Sequence, residues 1–118
     1  MIGNIALHCF LSVDTYVLKF RGEASFSLLL ILLGDRYLAK SYAWALSSYP
    51  DISTVIFMGD LIDEGSEADD QMFADYAERF HGVYPAREGV SMVYIPGDND
   101  IGGEGADPVT INKMDRYL

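Results

Sequence analysis

Two apolar runs, each stopped by a Gly-Asp pair, constrain this chain more than any other feature. Thr54 to Met58 leads directly into Gly59-Asp60, and Ser91 to Ile95 leads into Pro96-Gly97-Asp98. Short apolar, β-branched runs bounded by glycine read as buried strands of a parallel sheet. Between them Met72, Phe73, Tyr76, Ala77 and Phe80 fall on one face at helical spacing, as an amphipathic helix requires. Asp69, Asp70, Asp75, Glu78 and Arg79 occupy the other faces, and His81-Gly82 supply a last-turn base and a stop. Strand, acidic loop, helix, strand, acidic loop is a βαβ unit. The right-handed crossover rule makes the two strands parallel and brings both loops out at one edge of the sheet. Asp60 and Asp98 are therefore expected to be neighbours in space.

The flanking sequence is less regular. Ser66-Glu67-Ala68-Asp69 is similar to a capping box, with Asp in place of Glu, opening the helix. Upstream, Asp35 reads as the N-cap of a helix carrying Leu38, Tyr42, Ala45, Leu46 and Tyr49, ended by Pro50. Tyr37, Tyr42, Trp44 and Tyr49 read as packing residues rather than a sugar platform. Ile5 to Leu11 and Thr15 to Phe20 fit strands; Phe26 to Leu33 fits either a strand or a buried helical turn. Residues 1–34 hold no motif and are set apart from residues 35–118. Ile101 to Pro108 reads as a flexible acidic loop, and Val109 to Leu118 as the start of another helix.

With 118 residues the chain has room for one domain with its own core. Its net charge of −10 is lopsided, because only three of the 18 acids precede residue 51. A surface that acidic repels nucleic acid and anionic lipid, and either suits cations or is merely solvated. The single Cys9 excludes an internal disulfide framework. The longest apolar run, Leu28 to Leu33, is far short of the ~20 residues a membrane helix needs. The first residues lack the basic start and small-residue cleavage site of a signal peptide.

Gly59-Asp60-Leu61-Ile62-Asp63-Glu64-Gly65 fits GDxxDxG, and Gly97-Asp98-Asn99-Asp100 is a second Gly-Asp loop on the following strand. Together they resemble the calcineurin-like metallophosphoesterases. Asp35-Arg36-Tyr37-Leu38, Glu78-Arg79-Phe80 and Pro96 to Gly102 are similar to one branch, the membrane-associated enzymes that remove ethanolamine phosphate from GPI-anchor glycans. The resemblance runs from about Asp35 to Leu118. It implies an α/β fold, here a partial calcineurin-like sandwich: a βαβ unit of a parallel or mixed sheet flanked by helices.

It further implies two divalent cations clamping a phosphate, Mn²⁺ first, with Mg²⁺, Zn²⁺ or Fe as alternatives. By position, Asp60 is the carboxylate bridging both metals and Asp98 replaces an asparagine ligand. Asp63 orients a catalytic imidazole, and Asn99 stands where the family has the histidine that protonates the leaving oxygen. The implied substrate is a phosphodiester such as a GPI glycan, and the implied location is the endomembrane system of the ER and Golgi.

The chain departs from the family where histidine is needed. No Asp-x-His triplet occurs, and His8 and His81 are the only histidines. The family's later histidine ligands would lie beyond Leu118, so the chain is expected to be a truncated product. Asn99 cannot give up a proton, and losing a positioned general acid typically forfeits about 10²–10⁴ in rate. Three functional classes stand side by side: a metal-dependent phosphoesterase, a divalent-cation-binding module without chemistry, and a catalytically inactive fragment. The bland readings are loop-capping for Asp60, a turn aspartate for Asp63 and Asp98, and a turn residue for Asn99. Glu64, Glu67, Asp69 and Asp70 read as solvated acids at a helix start.

Overall fold

A computed structural model describes residues 24–62 and 65–117. Asp63 and Glu64 lie outside the described residues, as do the two strands expected before residue 21. The chain divides into two units, one comprising Thr15–Asp51 and the other containing Ile52–Leu118.

The described part of the first unit is one helix, α1 (Ala24–Ser48). The leucine run that suited either strand or helix is therefore helical, and Asp35 lies inside the helix rather than at its cap. Leucine and alanine have high helix propensity, and neither Gly34 nor Asp35 costs enough to break a run of that length. Tyr42 and Leu46, one turn apart, are buried, but Tyr37, Trp44 and Tyr49 are exposed. The packing role expected of all four aromatics thus holds for Tyr42 alone. Among the described residues no helix is long and apolar enough to cross a membrane.

The second unit is a small α/β arrangement. Strand β1 (Thr54–Met58) pairs with β2 (Ser91–Ile95) in parallel, in the register Thr54 to Ser91 through Met58 to Ile95. Helix α2 (Asp70–Val83) makes the connection. Phe57 of β1 and Tyr94 of β2 are register partners, so they share a face and stack with centroids 5.4 Å apart. Phe80 of α2 meets Phe57 edge-on at 5.0 Å, and Tyr84 lies 5.2 Å from Phe57. Such pairs add about 0.5–1.5 kcal/mol each beyond the area they bury. They hold the helix on the sheet. Another of its buried residues, Phe73, closes a second cluster with Ile62 and Ala68 under the first acidic turn.

The cap of α2 falls three residues later than the capping-box pattern suggests. Asp69 is itself the N-cap, and its carboxylate accepts from the Met72 amide at 2.8 Å. Asp69→Ala should therefore cost about 1 kcal/mol, read as a shifted urea midpoint with an unchanged slope. Past β2 the chain makes a single helical turn, α3 (Asp98–Ile101). Helix α4 (Ile111–Asp115) is also short, and Thr110 caps it by accepting from the Lys113 amide. Two apolar residues of α4, Ile111 and Met114, are exposed. The pair after it, Arg116 and Tyr117, is half-buried instead.

Candidate metal-binding turns

Both Gly-Asp turns leave the carboxyl ends of neighbouring parallel strands, so the crossover brings them side by side. Gly59 donates to the Ile95 carbonyl at 2.8 Å, extending the strand pairing by one rung into the turns. Gly59 takes φ 76° and Asp60 follows at φ 51°. Among the described residues Asp60 is the only non-glycine with positive φ. Aspartate tolerates that region better than most side chains, and such outliers persist only where the surroundings impose them.

The surroundings here are the second turn. Asp60 Oδ1 accepts from the Asn99 amide at 3.4 Å, a long bond. A Cβ on Gly97 would come within 2.2 Å of Asp60 Oδ1 and 2.6 Å of the Asp60 amide nitrogen. Only glycine permits that approach. The side chains of Asp60 and Asp98 are both exposed at this edge.

Asp98 is joined by a residue that sequence reasoning placed in a flexible loop. Glu104 shares a hydrogen bond with Asp98, which raises the Glu104 carboxyl above its ordinary range. The charges of Asp98 and Asp60 push it the same way. The Glu104 loop is tied down rather than free: Gly103 donates to the Asp107 carbonyl and Asp107 to the Glu104 carbonyl. Lys113 pairs with the Asp107 carboxylate and, with Ser66, holds that carboxyl below its usual range. The three acids sense one another, yet among the described residues no three His, Cys, Asp or Glu side chains are arranged to hold a metal ion.

The residue that organises the two turns is Asp100. It is fully buried. One carboxylate oxygen accepts from the Ile62 amide and the other from the Gly97 amide, both at 2.8 Å. One side chain thus bonds the first turn to the second. Burial pushes its carboxyl above the ordinary aspartate range, opposed by the Gly97, Ile62 and Leu61 amides and reinforced by the Asp60 charge. An acid three residues past Gly97, at the third position of a helical turn, is a pattern that could have flagged it.

Asn99 acts through its backbone. Its amide reaches Asp60, and its carbonyl accepts from the Ser66 amide at 2.7 Å. Its side chain is exposed. Asp63, between the two feet of the first turn, is outside the described residues. His81 sits in the last turn of α2, 5.6 Å from Phe80 and 5.9 Å from Tyr94 by ring centroids. That is the end of α2 away from the acidic turns.

Against known proteins, no family model and no solved structure matches the chain. A curated relative does: the chain is 29% identical over 70 residues to a Metallophosphoesterase 1 homolog of Drosophila melanogaster. The matched region is 58% of this chain but only 18% of that protein, so the chain spans under a fifth of its relative's length. The likeness is to a metallophosphoesterase and reaches no further than that class.

Proposed function

We propose that the chain carries part of a site for metal-assisted phosphoester hydrolysis, with Asp60 and Asp98 as oxygen ligands. One observation carries the reading. Two Gly-Asp turns meet at one end of a parallel strand pair, closely enough that Gly97 must lack a side chain. The likeness to a metallophosphoesterase supports it.

The donor chemistry fits a divalent cation. Carboxylate oxygens are hard ligands suited to Mn²⁺ or Mg²⁺. The Asp98 and Asp60 carboxylates raise the Glu104 carboxyl, a like-charge repulsion that a bound cation would relieve. When bound, such a cation supplies Lewis-acid stabilisation of phosphoryl charge. The chain's own residues do the positioning. The Asn99 amide orients Asp60, and Asp100 fixes both turns. The Asn99 side chain carries no titratable proton, so protonation of a leaving oxygen needs another donor.

The finer parts of the proposal follow from resemblance. They are a pair of metals, with Mn²⁺ first, a role for Asp63 in orienting a catalytic imidazole, and GPI-glycan ethanolamine phosphate as substrate in ER and Golgi membranes. A second reading, cation binding without turnover, is favoured by asparagine at position 99, where the family has a proton-donating histidine.

The test is hydrolysis of bis(p-nitrophenyl) phosphate by the whole chain with added Mn²⁺, alongside a Mn²⁺ titration. Metal-dependent release is expected, falling on the order of a hundredfold in Asp60→Asn. Binding without release favours the second reading. A flat titration without release removes both.

A further inference from the structure

The turn bearing Asp60 has two feet, and the strand pairing holds only the first. Gly59 is fixed by Ile95, and Ile62 by Asp100. The second foot is the Gly65–Ser66 peptide. Its N–H, from Ser66, goes to the Asn99 carbonyl. Its carbonyl, from Gly65, accepts from Arg116 Nη2 at 2.8 Å. The same guanidinium reaches Asp70, the first residue of α2, through Nη1 at 3.1 Å. It also lies 4.8 Å above the centre of the Phe73 ring.

We propose that Arg116 is a positioning residue: it anchors the second foot of the Asp60 turn, and so sets the geometry in which Asp60 and Asp98 take up a divalent cation. The part about the cation rests on the hydrolysis reading above; the anchoring does not.

The physical case lies in the shape of the group. A guanidinium is a rigid plane with several donors and a face that stacks on aromatic rings. Here one edge serves the turn, another the helix start, and the face covers Phe73. The Arg116 side chain is 19% exposed, so its bond to Gly65 is largely shielded from water. The Asp70 side chain is 96% exposed, and ion pairs of that kind contribute little. The bond to the Gly65 carbonyl and the contact with Phe73 therefore do the anchoring.

Tyr117 reinforces the anchor. It packs against the Ile62, Ala68 and Phe73 cluster. Its hydroxyl is buried and makes no hydrogen bond among the described residues. Burial pushes its pKa up, and the charges of Asp100 and Asp60 push it further. The phenol thus stays neutral beneath the two turns.

Arg116→Lys tests this in the whole chain, because it keeps the charge and most of the buried stem. Native-state amide exchange by NMR reads the anchor, and a Mn²⁺ titration reads its consequence. Lysine is a point donor and cannot serve Gly65, Asp70 and the ring together. Exchange at Ser66 should rise about tenfold, while the β1 and β2 amides keep their protection. Mn²⁺ affinity should fall about tenfold, as expected when a residue orienting a ligand is lost. Asp70→Asn, which removes only the exposed partner, should leave both readings within about twofold of the parent. Unchanged exchange at Ser66 overturns the proposal, and so does faster exchange with unchanged Mn²⁺ affinity. If the parent chain binds no Mn²⁺, faster exchange in Arg116→Lys still establishes the anchor, and only the hydrolysis reading falls.

Discussion

Gly97→Ala should separate the two acidic turns. The added methyl would sit 2.2 Å from Asp60 Oδ1, 2.6 Å from the Asp60 amide nitrogen and 3.0 Å from Asp60 Cγ. A carboxylate can swing away from such a clash, but the backbone nitrogen cannot. It belongs to the residue after Gly59, which is tied to Ile95. The reverse approach is also tight, since a Cβ on Gly59 would meet Gly97 Cα at 3.3 Å. The two turns must therefore move apart as backbones, and the bonds that Asp100 makes to Ile62 and Gly97 stretch with them. Overpacking of this kind costs about 1–3 kcal/mol, which in a domain near this size lowers Tm by roughly 4–8 °C per kcal/mol. Mn²⁺ binding should fall with it, because Asp60 and Asp98 no longer share an edge. A thermal melt and a titration on the same sample check both. A variant within about 0.5 kcal/mol of the parent would mean that the close approach is not under strain.

What the sequence made legible is the βαβ unit, and the reason is periodic. Both strands, the face of α2 and the parallel pairing follow from spacing and one handedness rule. The structure has β1 and β2 over the residues that the apolar runs mark. Local signals did worse where two of them competed. Asp35 resembles an N-cap, but the leucine-rich run before it is a better helix former than Asp35 is a helix starter, so α1 passes through it. At the other end of the chain, Ile111 and Met114 have helical spacing yet stay exposed, and the residues after α4 carry the packing.

The site divides in the same way. That Asp60 and Asp98 are neighbours was legible because each follows the end of one of two paired strands. The roles of Asp100 and Arg116 were not legible, because each has a partner across the fold, and that of Glu104 was not, because its stretch reads as a flexible loop. Asp100 reaches Ile62, and Arg116 reaches Gly65 and Asp70. A carboxylate in an acidic motif reads as solvated or ligating. The spacing of Asp100 from Gly97 hints at a capping bond, but nothing in its neighbours says that it is fully buried and bonded to the other turn.

Asp100→Asn should be as damaging as the glycine change, for the opposite reason: it keeps the shape and removes an acceptor. In the parent, each carboxylate oxygen takes one amide, from Ile62 and from Gly97. Asparagine offers one oxygen and one NH₂, so one of those amides faces another donor at full burial. A buried donor left without an acceptor costs about 1–3 kcal/mol, and more where the bond was to a charged group. The loss should appear in a urea melt at neutral pH as about 2–4 kcal/mol. It should also depend on pH in a direction that follows from burial. The Asp100 carboxyl is raised in the folded state. Between the ordinary aspartate value of about 3.9 and its raised folded value, the folded chain binds more protons than the unfolded one. This group's contribution to stability is thus fully present below that window and diminishes as pH rises through it. Asparagine does not titrate, so the gap between parent and variant should be widest at acid pH and narrow towards neutrality. A gap that instead widens with rising pH would show that the amide bonds to Asp100 outweigh its burial.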